Sequence, residues 1–191
     1  MRTTTPRGGG VTGGAHAAMR SRDVSLAALI AALYAVLVVV LQPISFLAFQ
    51  VRVADALLPL AMVYGYPVAV GVSLGCFVGN LLAAPWGSFS LAMLDAAFGS
   101  AANFVASVVA CVISRRGGGV ILRITGAAAE ALIVSLIVGT YLKYLVEWAT
   151  GIALPLSVTV LGVLGGSVVS VVLLGVPLSI VVEKSLSPQS S

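Results

Sequence analysis

The sequence predicts an all-α integral membrane protein, and three observations support this fold class. The 191-residue chain is 60% hydrophobic and only 8% charged, whereas soluble domains carry about a quarter charged residues. Its mean hydropathy is +1.14. The apolar residues form long runs, and short segments rich in Pro, Gly or Arg separate these runs. Because a spanning helix needs roughly 20 apolar residues, the length allows at most about six to eight crossings in one helical bundle.

Breaks in the apolar pattern divide the chain into six predicted spans. The first span ends at Gln42-Pro43, because proline disfavours helix at the residue before it. The second span is short and contains Pro59, so it is either a tilted crossing or a re-entrant segment. The predicted spans are residues 24–41, 53–64, 68–84, 88–114, 120–146 and 156–182. The predicted regions are a disordered cytoplasmic tail at 1–22, a six-helix membrane domain at 23–184 and a C-terminal tail at 185–191.

The basic residues predict six crossings with both termini in the cytoplasm. Cytoplasmic loops are enriched in Lys and Arg, and six crossings leave only Arg52 and Lys143 on the outer side. If the second span did not cross, Arg115 and Arg116 would move outside. The basic residues stand singly or in pairs at the ends of apolar segments, which argues against a nucleic-acid surface. The predicted cytoplasmic set is Arg2, Arg7, Arg20, Arg22, Arg115, Arg116, Arg123 and Lys184.

A polar tract, Gln50-Val-Arg52-Val-Ala-Asp55, separates the first two apolar spans. An ionisable group inside a bilayer costs about 2.5 to 3.5 kcal/mol, so such residues usually have a partner or a function. Arg52 and Asp55 stand three residues apart, a spacing that brings side chains together on one helical face. The tract is therefore a candidate binding site. The alternative is an interfacial anchor at Arg52 and a first-turn acid at Asp55 that the helix dipole favours.

Four polar residues in the later spans are further candidates. Asp95, Gly99 and Asn103 recur every fourth residue along the fourth span, and Asn80 lies near the outer end of the third. Carboxylate and amide groups together match the N–H and C=O edge of a purine-like base, although they could equally hydrogen-bond neighbouring helices. Glu130 lies near mid-membrane with no cation within one turn in sequence. It therefore pairs across the bundle, is protonated or contacts a ligand.

The first span carries small residues at every fourth position, in a column formed by Ala27, Ala31 and Ala35. Such a strip allows the close approach of another helix. The partner helix could belong to this chain or to another subunit, and the sequence leaves both open. A second small-residue column in the third span, expected to pack internally, consists of Gly71, Gly75 and Gly79.

Several kinds of chemistry lack their usual residues. The chain has no G-x-x-x-x-G-K-[ST] phosphate loop and no serine nucleophile elbow. Its one histidine, His16, lies in the predicted tail, and Cys76 and Cys111 lie in apolar runs without metal-ligand spacing. We therefore expect no enzymatic activity, no metal and no cofactor.

Three motifs, in this order, carry a resemblance to a known family. They are Gln50-Val-Arg52-Val-Ala-Asp55-Ala-Leu, Gly75-Cys76-Phe77-Val78-Gly79-Asn80 and Asp95-Ala-Ala-Phe98-Gly99. Together they resemble the QueT family of predicted queuosine-precursor transporters, which are substrate-binding S components of energy-coupling factor (ECF) transporters. The likeness extends over about residues 28–178. It implies a six-helix S-component bundle whose pocket opens to the outside beneath the loop that joins spans one and two.

The resemblance also implies a function. The chain would capture a 7-deazaguanine such as preQ0, preQ1 or queuine at the plasma membrane, while a coupling subunit and ATPase subunits supply the work. The alanine column Ala27, Ala31 and Ala35 would then dock on the coupling subunit. The alternatives are an S component for a different vitamin and a self-sufficient carrier in which Asp95 or Glu130 couples proton movement to the solute. The candidate substrate contacts are Gln50, Arg52, Asp55, Asn80, Asp95, Asn103 and Glu130. Aromatic residues available for an apolar slot around the substrate are Tyr34, Phe46, Phe49, Trp86 and Phe98.

Overall fold

The computed structural model describes residues 20–45, 51–117 and 119–186, and within these ranges the chain is helical without a strand. Five helices are long and apolar enough to cross a membrane, and a sixth apolar helix is shorter. The predicted all-α fold is confirmed, while the six crossings and the cytoplasmic termini stay predictions. The helices are α1 (Ser21–Val40), α2 (Val53–Tyr64), α3 (Tyr66–Ala83), α4 (Phe89–Ser114), α5 (Val120–Thr150) and α6 (residues 156–186), with a short helical segment at Gln42–Ser45 after α1.

The helix ends follow local rules. The Asp23 carboxylate accepts a hydrogen bond of 3.2 Å from the backbone N–H of Arg20, which starts α1 two residues before the predicted membrane domain. Residues 21 and 22 are therefore helical, and most of both predicted tails lies outside the described residues. Gly65 separates α2 from α3 with φ of 78°, and Gly151 ends α5 with φ of 75°. Glycine adopts these left-handed conformations without steric cost.

Helix α2 has an unusual geometry that suits a short connection through the bundle. Eight residues form a 3₁₀-helix, Val53–Leu60, and four form an α-helix, Ala61–Tyr64. Because a 3₁₀-helix rises faster per residue, this segment reaches about 22 Å, against about 18 Å for an α-helix of the same length. Pro59 packs on Gly175 of α6 so closely that a Cβ at Gly175 would lie 2.8 Å from the proline ring. Tight packing inside the bundle therefore holds α2.

Helices α1 and α3 run parallel. A Cβ placed on Gly71 would lie 2.7 Å from the Ala27 carbonyl oxygen, and one on Gly79 would lie 2.9 Å from Val38. The contacting residue numbers rise together, so both helices start at the same end of the bundle. The chain must therefore return from the end of α1 to the start of α3 within residues 41–65, the segment that contains α2.

The remaining long helices alternate in direction, which collects basic side chains at one end. The Arg123 guanidinium at the start of α5 forms an ion pair with Glu183 near the end of α6. Arg115 at the end of α4 stacks over the ring of Tyr66 at the start of α3, with 4.9 Å between guanidinium carbon and ring centroid. This end of the bundle also holds Arg20, where α1 begins.

The alanine column of α1 faces α3 instead of an open surface. Ala27 is buried, Ala31 and Ala35 are half-buried, and the Ala31 carbonyl oxygen would lie 2.6 Å from a Cβ on Gly75. The glycine column of α3 packs internally, as predicted, and the alanine column is its partner. The alanines of α1 that are exposed are Ala28 and Ala32, one residue further along the helix.

Candidate functional site

A buried hydrogen-bond network joins α1, α2 and α4 around Asp55. The Asp55 Oδ1 atom accepts hydrogen bonds from the Tyr34 hydroxyl at 2.5 Å and from Asn103 Nδ2 at 3.5 Å. Asn103 Nδ2 also donates to the Tyr34 hydroxyl oxygen at 2.8 Å. All three side chains are almost completely buried. We call Tyr34, Asp55 and Asn103 the Asp55 cluster.

Arg52 lies beside this cluster at the N-terminal end of α2. Its side chain is only 5% exposed, so the guanidinium points into the bundle and does not form an interfacial anchor. The Nη1 atom lies 3.5 Å from the Cys76 Sγ atom of α3. The Arg52 backbone oxygen accepts a hydrogen bond of 2.9 Å from the Asp55 N–H. The arginine is therefore a buried cation at the edge of the Asp55 cluster.

A second network, the Asp95 cluster, joins the loop after α3 to α4 and α5. Asp95 Oδ1 accepts from the Tyr141 hydroxyl at 2.8 Å, and Oδ2 accepts from Trp86 Nε1 at 2.9 Å. Asn80 Nδ2 donates to the backbone oxygen of Asp95 at 3.2 Å. Gly99 leaves room for the Asn80 side chain, since a Cβ at this position would lie 2.9 Å from the Asn80 amide nitrogen. Both Asp95 oxygens thus hold aromatic side chains in place. The Asp95 cluster comprises Asn80, Trp86, Asp95 and Tyr141.

Cys76 lies between Arg52 and Gly99, the glycine that leaves room for the Asn80 side chain. Its Sγ atom is in contact with Arg52 on one side and lies 3.4 Å from the Cβ position of Gly99 on the other. Cys76 and Cys111 are buried free thiols, and no group of His, Cys, Asp or Glu in the described ranges could hold a metal ion. The network offers carboxylate acceptors, a guanidinium, amides and phenols beside aromatic rings. These groups match the hydrogen-bonding edge of a planar heterocycle.

Glu130 lies apart from both clusters. It is completely buried on α5, and neither carboxylate oxygen has a hydrogen-bond partner among the described residues. It also forms no ion pair with an Arg or Lys of the described residues. Of the three explanations left open by the sequence, pairing across the bundle is therefore not what the structure contains.

The structure brings most of the predicted site residues together. Arg52, Asp55, Asn80, Asp95 and Asn103 take part in the two clusters or lie between them. Gln50, Phe46 and Phe49 fall outside the described residues. Phe98 is half exposed and contacts the Tyr141 ring at a centroid distance of 5.6 Å, so it lies at the outer surface of the bundle.

Tyr141 is a site residue that the sequence analysis missed. It stands eleven residues after Glu130, which is about three helical turns and therefore the same face of α5. That spacing was the available signal. Tyr34 and Trp86 were expected as apolar slot residues, whereas the structure uses their hydroxyl and indole N–H as donors to Asp55 and Asp95.

Comparison with known proteins agrees with the resemblance that the three motifs carry. The sequence model of the QueT transporter family matches residues 24–184, from α1 to α6. No curated protein and no solved structure matches the chain. The matched range contains both polar clusters, Arg52 and Glu130. The chain therefore belongs to the QueT transporter family, with a role in membrane transport rather than catalysis.

Proposed function

We propose that this chain is the substrate-binding S component of an ECF-type importer and captures a queuosine precursor from outside the cell. The substrate is a 7-deazaguanine such as preQ0, preQ1 or queuine. The observation that carries the proposal is the buried Arg52, whose guanidinium lies 3.5 Å from Cys76, together with the buried Asp55 cluster. A guanine-type edge presents N–H donors beside a carbonyl acceptor. Asp55 can accept from those donors, Arg52 can donate to the carbonyl, and Asn103 can do either.

The bundle orientation in this proposal follows the positive-inside rule. The end that holds the start of α1 is cytoplasmic. Helix α2 returns the chain to that end, so together with the five long helices it makes six crossings. Both termini are then cytoplasmic. The described basic residues at the cytoplasmic end are Arg20, Arg22, Arg115, Arg116, Arg123 and Lys184.

In this orientation both clusters lie towards the outer side, where a substrate would enter. Asp95 is six residues after the outer start of α4, about 9 Å along the axis at 1.5 Å per residue. As the family resemblance implies, residues 43–52 are the proposed lid of the pocket, and Gln50 belongs to the part of that segment outside the described residues. The substrate would take the place of the 3.5 Å contact between Asn103 and Asp55, while the Tyr34 hydroxyl keeps its hydrogen bond to Asp55. Because Asp95 holds Trp86 and Tyr141 through both oxygens, we propose that Asp95 and Asn80 shape the wall while Arg52, Asp55, Asn103 and Glu130 contact the substrate.

Capture alone cannot move a solute against its gradient, so the proposal requires a coupling subunit and ATPase subunits in the plasma membrane. Helix α1 would provide the docking face. Because Ala27 is buried against α3, the docking strip would consist of the exposed Ala28 and Ala32 with the half-buried Ala31 and Ala35 at its edge. Small side chains there would let a partner helix approach closely.

Ala32→Leu is expected to weaken association with the coupling subunit by about tenfold and to leave substrate binding unchanged. The added side chain would stand on the exposed face, away from Tyr34 and the Asp55 cluster. Overpacking of a close contact costs about 1 to 3 kcal/mol. Pull-down of the full complex measures association, and Ala101→Leu, at an exposed alanine of α4, is the matched control. An effect of Ala101→Leu alone would move the docking face to α4.

The substrate assignment predicts a small molecule that stays with the protein. The chain purified natively in mild detergent should release a 7-deazaguanine that mass spectrometry identifies, and preQ1 should raise its melting temperature by several degrees. Binding of a ligand to the folded state alone stabilises it by about 2.7 kcal/mol at one hundred times the Kd. A different bound vitamin, together with no thermal shift from preQ1, would instead make the chain an S component for that vitamin.

A proton-coupled secondary carrier is the second candidate, because the buried Glu130 carboxylate has no hydrogen-bond partner among the described residues. Buried carboxylates in membranes recur in proton relays. The two functions differ in their source of energy. Uptake in cells that lack the ATPase subunits, and its loss on addition of a protonophore, would favour the carrier.

A further inference from the structure

Three buried polar side chains without hydrogen-bond partners occur in the middle of the bundle. Glu130 of α5 is completely buried, and so are the hydroxyls of Ser107 on α4 and Ser170 on α6. None of their side-chain oxygens has a hydrogen-bond partner in the described part of the chain. Because buried polar groups are nearly always paired, each such group calls for an explanation. We call Ser107, Glu130 and Ser170 the inner polar group.

The packing of the helices places these three residues at one level. In the antiparallel pair α4 and α5, the Cβ position of Gly126 lies 3.6 Å from Ala110, so Glu130, four residues later, is level with residues 106 and 107. In the pair α5 and α6, Arg123 contacts Ser179 and Gly139 contacts Val160. Interpolation between those contacts pairs Glu130 with residue 170 or 171. The three oxygen-bearing side chains therefore come from three helices at the same depth.

This level lies next to the proposed recognition site. Ser107 is four residues after Asn103 on α4, so it lies about 6 Å further along the axis and on nearly the same face. Ser170 lies in a π-helical segment of α6, Val168–Gly175, and π-helical turns are frequent at functional sites. A heterocycle held at Asn103 would direct a short substituent towards the inner polar group.

The inner polar group has acceptors but no cation. One carboxylate and two hydroxyls are three groups that can accept from N–H donors, and Glu130 forms no ion pair with an Arg or Lys of the described residues. An isolated buried carboxylate is costly unless a charged partner compensates it. A primary ammonium, with three donors and one positive charge, fits this set of acceptors.

We propose that Glu130 is the counter-ion of an ammonium group on the bound substrate, with Ser107 and Ser170 as further acceptors. This inference rests on the proposed function. It makes the chain selective for 7-deazaguanines that carry an amine on the substituent at C7, such as the aminomethyl group of preQ1 or the secondary amine of queuine. The nitrile of preQ0 has neither a donor nor a charge and would leave Glu130 without compensation.

The test compares two ligands of similar size. Binding of preQ1 and preQ0 to the purified full chain is measured by calorimetry for the wild type, for Glu130→Gln and for Glu147→Gln. Glu147 is a glutamate near the C-terminal end of α5. The wild type should bind preQ1 at least tenfold more tightly than preQ0. Glu130→Gln should weaken preQ1 roughly 10- to 100-fold, as expected for loss of a charge-assisted hydrogen bond, with preQ0 changed less than about threefold. Glu147→Gln should change neither.

Other results would overturn the inference. Equal affinities of the wild type for preQ1 and preQ0, or an equal loss of both in Glu130→Gln, would mean that Glu130 does not read the amine. A sodium requirement for binding of either ligand would assign Glu130 to a metal cation. If Glu130→Gln fails to fold, the double variant Ser107→Ala and Ser170→Ala should still weaken preQ1 selectively. Failure of the proposed function is seen separately, because the wild type would then bind neither ligand.

Discussion

Gly75→Ala is expected to lower the melting temperature sharply and to abolish stabilisation by preQ1. A Cβ at this position would lie 2.6 Å from the carbonyl oxygen of Ala31 and 2.7 Å from the Cβ of Tyr34. Neither atom is the end of a flexible side chain, so α1 and α3 must move apart. Overpacking of this kind typically costs about 1 to 3 kcal/mol. The displacement also carries Tyr34 away from Asp55, which links the packing defect to the site.

Two other glycines provide matched controls for that substitution. Gly165 lies in the first part of α6 with nothing within 4 Å of its Cβ position, so Gly165→Ala should keep or raise the melting temperature. Gly126→Ala would meet the sulfur of Met62 at 2.6 Å, and that flexible side chain can move. Its effect should fall between the other two. A melting temperature of Gly75→Ala equal to that of Gly165→Ala would contradict the close contact of α1 and α3.

The helices were predictable because bilayer length and helix breakers act locally. Pro43 and Gly65 mark breaks in the apolar pattern that any tertiary arrangement must respect. The 3₁₀ geometry of α2 and the π-helical segment of α6 were not predictable. They accompany the close packing of Pro59 on Gly175, a contact between residues more than a hundred positions apart.

Which column of alanines on α1 faces the bundle interior also depends on tertiary contacts. Helix α1 carries alanines in neighbouring columns, so Ala27 and Ala28 look equivalent in sequence. They point about 100° apart on the helix, and only the glycine column of α3 decides that Ala27 is inside. The sequence could therefore predict a close helix contact but not its partner.

The polar residues of the site were easier to find than their partners. Asp55 and Asp95 stand out because carboxylates are rare in apolar spans. Tyr34, Trp86 and Tyr141 do not, since aromatic residues are expected in membrane helices and at interfaces. The role of the two tyrosines as donors becomes visible only in the folded chain. There α1 brings the Tyr34 hydroxyl to a carboxylate 21 residues away, and α5 brings the Tyr141 hydroxyl to one 46 residues away.

Asp55→Asn is expected to weaken preQ1 binding by roughly 100-fold while the protein remains folded. The amide keeps the size of the side chain, but it removes the negative charge and replaces an acceptor oxygen with a donor. Hydrogen bonds to charged groups are worth about 1.5 to 3 kcal/mol, and an unpaired polar group in a site built for hydrogen bonding is strongly disfavoured. Calorimetry with preQ1 measures the loss, and size-exclusion chromatography in detergent reports the folded fraction.

Variants of neighbouring and distant residues make this result specific. Asp23→Asn, at the cap of α1, should leave the affinity unchanged. Tyr34→Phe removes the donor at 2.5 Å from Asp55 but keeps the charge, so it should weaken binding by only about three- to tenfold. If recognition depends on Asp55, the order of losses must be Asp55→Asn, then Tyr34→Phe, then Asp23→Asn. Unchanged binding in Asp55→Asn, combined with a large loss in Asp95→Asn, would mean that the Asp95 cluster recognises the ring. The Asp95 carboxylate would then have to release Trp86 or Tyr141 in order to reach the substrate.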